Sequence, residues 1–136
     1  MFRKDYIMRM LEEFVRVLAK IVLLRETKSY LDAKNELDSL SKLATGFGLG
    51  HLKALGPEGI KYVFSQNSES EAEKIYCSAR IMKEDALILK SQGNSEDSLK
   101  SLIIAKELFK MASELDFPEK EEALKEFEEL NSIKVL

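Results

Sequence analysis

The sequence predicts an all-α protein of about six helices, arranged as antiparallel hairpins in one tetratricopeptide-like bundle or short solenoid. Three observations favour this fold. The 136 residues suit a single core, the helix formers Leu, Glu, Lys, Ala and Ile predominate, and apolar residues recur at helical spacing between polar breaks. The single domain, 1–136, divides into a helical hairpin at 4–44, a Gly-rich turn at 45–50, short helices at 51–66, a second hairpin at 70–115 and an acidic C-terminal helix at 119–131.

The first helix is predicted from Lys4 to Thr27 and is apolar around most of its circumference. Its core face comprises Ile7, Leu11, Phe14, Leu18 and Ile21. One apolar stripe is enough for a surface helix, so the additional rows indicate a second neighbour or a second subunit. We therefore expect a homodimer whose interface includes Tyr6, Met10, Val15, Val17, Val22 and Leu24.

The second helix, predicted to end near Ala44, has Tyr30, Ala33, Leu37, Leu40 and Leu43 at helical spacing. The following glycines, Gly46, Gly48 and Gly50, do not have the spacing of a dinucleotide-binding loop, and no strand precedes them. They predict a turn that ends the helix.

Two short helices are predicted next, one over 51–55 and one that begins at Pro57, a residue suited to a first helical turn. His51 has no metal-ligand partner or nucleophile at recognisable spacing. We interpret it as ordinary surface rather than as a base or a ligand, and its role stays open.

A long helix should extend to about Ser91, introduced by a capping box that begins at Ser68 or Ser70. Cys77 lies beside its core stripe, where a plain packing residue is favoured over a thiol activated by neighbouring bases. Ser95 is expected to cap the next helix, whose core face includes Leu99, Leu102, Ile103, Phe109 and Ala112. The final helix places Ala123, Leu124, Phe127 and Leu130 on its inner face.

Charge and cysteine content exclude several classes of function. The net charge of −3 disfavours nucleic-acid binding, although residues 1–28 are basic and residues 114–129 strongly acidic. The single cysteine cannot form an intramolecular disulfide, which fits a reducing cytoplasm. Neither a signal peptide nor a membrane-spanning segment is predicted, and no cofactor or metal site is expected.

The two hairpins share a pattern of small and large residues. Their loops, at Lys28 and Gly93, are separated by about two tetratricopeptide repeat lengths. Together with KDYIMR at 4–9 and the string from Ala86 to Ala105, this pattern resembles a family of small bacterial helical proteins known as a domain of unknown function. The resemblance implies a repeat-like helical fold in the bacterial cytoplasm and supplies no catalytic residue.

The function predicted from the sequence is a non-catalytic interaction or scaffold module. If the first helix of the second hairpin forms a concave wall, then Arg80, Lys83, Leu87 and Lys90 would project into a groove suited to an acidic peptide or protein. Whether that groove is open or filled by the acidic C-terminal helix is left undecided. Two alternatives remain: association of the basic, apolar first helix with a membrane surface or nucleic acid, and an enzyme with an unrecognised site.

Overall fold

The computed structural model describes residues 3–66 and 69–132, and these contain six α-helices and no strand. The all-α prediction is therefore confirmed. The helices are α1 (Asp5–Glu26), α2 (Tyr30–Thr45), α3 (Leu49–Ser65), α4 (Glu71–Ser91), α5 (Ser95–Ser113) and α6 (Lys120–Ser132).

The loops that close the two hairpins have the same geometry. Lys28, between α1 and α2, has φ 65°, and Gly93, between α4 and α5, has φ 82°. In each loop the next amide closes the helix end: Ser29 N–H donates to Leu24 O at 2.8 Å, and Asn94 N–H donates to Leu89 O at 2.9 Å. This is the Schellman pattern that ends many helices, and it makes the hairpins equivalent at their turns.

Helix α3 consists of two straight pieces joined by a bend. Gly56 has φ 68° and ψ 177° inside the helix, and Pro57 begins the second piece. The predicted pair of short helices thus corresponds to one bent element that begins at Leu49, so the predicted turn at 45–50 is too long and Gly50 is helical. The start of α3 is held by α2, because the Leu49 N–H donates to Asp38 Oδ1 at 2.9 Å.

Helix α4 lies at the centre of the bundle. It contacts α1, α2, α3 and α5 along its length, and its side chain Tyr76 packs edge-on against Phe109 of α5 and Phe117, which precedes α6. Apolar side chains from all the surrounding helices form one continuous core with it. A helix with one apolar stripe would leave its other side in water, whereas α4 is buried on nearly every side.

Three carboxylates of α4 are buried, and each is paired with a base from another part of the chain. Arg25 of α1 donates to Glu84 at 2.5 Å, and Lys53 of α3 lies 2.8 Å from Asp85, which also accepts from the Ser101 hydroxyl at 2.7 Å.

The third carboxylate lies near the beginning of α4. Arg3, just before α1, pairs with Glu73 at 3.4 Å and also with Glu119, just before α6. Since a buried charge is costly without a partner, these three pairs fix how α1, α3 and the entry to α6 sit on α4.

Several local predictions from the sequence were wrong. Leu43, Ile103 and Leu124, assigned to core faces, are exposed by 68, 54 and 39%. Asn94 rather than Ser95 is the N-cap of α5 and accepts from the Asp97 N–H.

The capping box predicted at Ser70 does not form in α4. Ser70 is the N-cap but makes no side-chain cap bond, and the side chain of Glu73, the residue that would complete the box, pairs with Arg3 instead. Ser68 lies outside the described residues.

Replacing Lys28 with glycine should stabilise the protein. A residue with a Cβ is strained at positive φ, whereas glycine adopts this conformation readily, so Lys28→Gly should raise the free energy of unfolding by about 1 kcal/mol. Urea denaturation measures the change. As a control, Lys34→Gly places glycine inside α2 and should lower the free energy by about 1 kcal/mol. A loss of stability in Lys28→Gly would contradict the strain argument.

Replacing Lys53 with methionine should destabilise the fold by about 3 kcal/mol, because it leaves the fully buried Asp85 carboxylate without its countercharge. The matched control is Lys100→Met, since Lys100 is an exposed base on α5 whose ion pairs are at the surface, where about 0.5 kcal/mol or less is expected. The free energies of unfolding of the two variants, measured by urea denaturation, should therefore differ strongly. Equal, small losses would show that the Lys53 pair does not hold α3 on α4.

Candidate functional site

The open edge of the central helix is formed by the four residues that the sequence placed in a groove. From Ile75 to Lys90, every residue of α4 is buried except Arg80, Lys83, Leu87 and Lys90. Their spacing of three, four and three positions puts them along one side of the helix. We call these four residues the α4 strip.

The α4 strip lies between α1 and α6. On one side of it, Glu84 of α4 is held by Arg25 of α1. On the other side, the Lys83 ammonium lies 2.8 and 2.9 Å from the two carboxylate oxygens of Glu126 in α6. These contacts place α1 beside one edge of the strip and α6 beside the other, with Glu126 of α6 held directly by Lys83.

The strip has a positive and partly apolar character. The Arg80 guanidinium lies 5.9 Å from the centre of the Tyr76 ring, a cation-π distance. Burial raises the pKa of Tyr76 above its ordinary value, and the nearby Arg80 charge lowers it in part. Lys90 is exposed and Leu87 half-buried, so the strip presents bases around one apolar side chain, which suits a carboxylate-bearing, partly apolar ligand.

The six residues predicted for a dimer interface lie on two different sides of α1. Met10, Val17 and Leu24 pack against the core of their own chain, on the same side of α1 as Tyr6, which donates a hydrogen bond to Glu69 at 2.7 Å. Packing within the chain therefore accounts for much of this row.

Val15 and Val22 belong to the other side of α1. Val15 is 54% exposed and Val22 half-buried. Met8, seven residues or about two turns before Val15, is 46% exposed. This second row, with one residue every seven positions, is exposed at Met8 and Val15 and half-buried at Val22.

The two residues whose roles the sequence left open lie in different environments. His51 is exposed, and its ring lies 6.3 Å from that of Phe47 in an edge arrangement. Cys77 is fully buried, and burial raises its pKa to about 12, so the alternative of an activated thiol is wrong. Within residues 3–66 and 69–132, no group of His, Cys, Asp and Glu side chains is arranged to hold a metal ion.

The buried acids of α4 are the polar residues that sequence reasoning missed. No buried position was predicted for Glu73, Glu84 or Asp85, all three of which are buried in the structure. The sequence contains a signal for Asp85 alone, which lies four positions after Ile81 and three after Met82, where the apolar stripe of an amphipathic helix would continue.

Comparison with known proteins identifies the family of the chain. Residues 1–134 match the model of a family of unknown function, DUF6483, and the chain belongs to this family. No curated protein and no solved structure matches it. In the part of the chain that the structure describes, no helix has the length and apolar character needed to cross a membrane.

Cys77 should react with a thiol reagent only when the protein unfolds. A buried thiol with a raised pKa offers neither access nor thiolate, so labelling at pH 8 should be at least about 10³-fold slower in the native protein than in guanidinium chloride, in line with ordinary folding equilibria. The reagent is dithiobis(nitrobenzoate), and the absorbance of the thionitrobenzoate that it releases measures the rate of labelling. Rapid labelling of the native protein would show that α4 is accessible on this side.

Proposed function

We propose that this DUF6483 protein is a non-catalytic interaction module that binds an acidic segment of a protein partner along the α4 strip. The observation that carries the proposal is that the only unburied residues between Ile75 and Lys90 of the central helix are three bases and one leucine. A bundle that buries its central helix so fully leaves this edge as the natural place for a partner.

The internal ion pair between Lys83 and Glu126 supports the choice of ligand. It places a carboxylate of α6 directly on the strip, at distances typical of charge-assisted hydrogen bonds. A partner with carboxylates at helical spacing would make the same contact at Lys83 and extend it to Arg80 and Lys90. The apolar Leu87 would receive an apolar side chain between them.

A catalytic role has no comparable support. The buried carboxylates of α4 are paired with Arg3, Arg25 and Lys53, so their charges stabilise the packing of helices. The exposed His51 lies against an aromatic ring. A reducing cytoplasm remains our proposal for the location, since the single thiol has no partner within the chain.

Reversing charge on the strip should weaken binding of an acidic probe. We expect Lys83→Glu combined with Lys90→Glu to raise the Kd of a fluorescein-labelled helical peptide, with glutamates flanking one leucine, by about tenfold or more, about 1.4 kcal/mol. Fluorescence anisotropy gives the Kd. The matched control, Lys61→Glu combined with Lys100→Glu, changes the net charge equally at exposed sites.

The control pair should change the Kd less than about twofold if the strip is the site. A second variant tests the competition with α6: Glu126→Gln removes the carboxylate held by Lys83 and should tighten binding of the same peptide. Equal effects of the two Lys pairs, or no binding by any of these proteins, would refute the proposal.

A further inference from the structure

The open side of α1 is a second surface, independent of the α4 strip, and it has the pattern of a helix-pairing seam. Met8, Val15 and Val22 recur every seven residues, with Glu12, Ala19 and Glu26 at the intervening positions. This four-three alternation is the spacing at which two helices pack side by side. Val15 and Ala19 are exposed, so no other helix within residues 3–66 and 69–132 covers the middle of the seam.

The charges of the seam are arranged for antiparallel pairing with an identical helix. Lys4 lies eleven positions before Val15, and Glu26 lies eleven positions after it. Both are exposed. If two copies of α1 crossed antiparallel with Val15 on the symmetry axis, each Lys4 would lie opposite the other copy's Glu26.

The apolar residues have the same symmetry. Met8 and Val22 lie seven positions on either side of Val15, so each Met8 would face the other copy's Val22. Parallel pairing would instead place Lys4 against Lys4 and Glu26 against Glu26, which is repulsive.

The ends of α1 give a further reason for this orientation. Lys4, a base, stands at the N-terminal end and Glu26, an acid, at the C-terminal end. Each is the sign that the helix dipole disfavours at that end, whereas the adjacent Asp5 and Arg25 have the favoured signs. In an antiparallel pair, the Lys4 ammonium approaches the negative end of the neighbouring helix and Glu26 approaches its positive end, so both unfavourable terms are reversed.

We propose that the protein forms a two-fold symmetric homodimer in which α1 packs antiparallel against α1 of a second copy, with Val15 on the axis. Such an interface is isologous, because each copy contributes the same residues. A seam of one helix is small compared with the interfaces of permanent dimers. The dimer should therefore dissociate on dilution.

Site-directed cross-linking tests the arrangement directly. In the full chain, Val15→Cys should form a covalent dimer rapidly under mild oxidation, because a residue on the axis meets its own copy. Cys77 is buried and does not compete. The control is Leu31→Cys: Leu31 is 72% exposed, more than Val15 at 54%, so random collisions would favour the control.

The orientation is tested by a third cysteine variant. In the antiparallel pair, the two copies of residue 8 are fourteen positions apart along the axis, about 21 Å at 1.5 Å per residue. Met8→Cys should therefore not link to itself, although it should link to Val22→Cys when the two variants are mixed. Self-linking of Met8→Cys at the rate of Val15→Cys would contradict antiparallel packing.

Charge reversal with rescue tests the ends of the seam. Light scattering over a wide concentration range should show a Kd of dimerisation raised by about threefold or more in Lys4→Glu and in Glu26→Lys, and restored toward the original value when both changes are combined. Val15→Glu should raise it by about 30-fold or more. Circular dichroism checks that each variant is folded, as expected for exposed positions.

The proposal is overturned if the unchanged protein remains a monomer at every concentration, or if Val15→Cys links no faster than Leu31→Cys. A dimer unaffected by Val15→Glu would also overturn it. Because none of these changes alters Arg80, Lys83, Leu87 or Lys90, failure of the dimer and failure of the α4 strip as a peptide site are separately observable.

Discussion

The rest of the structure depends on the pairing of buried acids on α4 with bases from elsewhere in the chain. Glu73, Glu84 and Asp85 lie 6, 5 and 0% exposed, where an unpaired carboxylate would cost several kcal/mol. Each therefore requires its base in place whenever the helices are packed. Apolar surfaces tolerate sliding between helices, whereas a buried ion pair has one acceptable geometry.

This constraint also determines which surface of α4 stays open. Its acids face α1 and α3, and its small residues Ala79 and Ala86 are fully or almost fully buried, with α5 packed along the helix. The edge that remains lies between α1 and α6, and it consists of long basic side chains whose stems can lie on apolar surface while their charges reach water. The α4 strip is thus what remains when the other contacts of the central helix are satisfied.

Helical periodicity predicted the elements of the fold well and their surroundings less well. The bounds of α1, α2 and α4 were predicted within one or two residues, and the likeness of the loops at Lys28 and Gly93 was visible in the sequence, because caps and turns are local. Periodicity identifies the apolar face of a helix, but it does not show how many other helices pack against that face. Leu43 and Ile103 recur at helical spacing with core residues and yet are exposed, since no helix of the described residues covers them.

At the candidate site too, the local pattern was predictable from the sequence and the contacts between distant residues were not. The four residues of the α4 strip were predictable because they share one side of one helix, whereas the contact between Lys83 and Glu126 joins positions 43 residues apart. The apolar rows of α1 were visible too, but only the packing of α2 shows that Met10 and Val17 are used within the chain and Val15 is not.

If the α4 strip binds a partner as we propose, the contact between Lys83 and Glu126 affects which partner can bind. Because Glu126 is part of the same chain, its contact with Lys83 is intramolecular and does not depend on the concentration of the protein. A free carboxylate in solution competes poorly against it. A segment that also reaches Arg80, Leu87 and Lys90 gains contacts that α6 does not make in the described structure. Under this proposal, the internal ion pair would favour extended acidic segments over small anions.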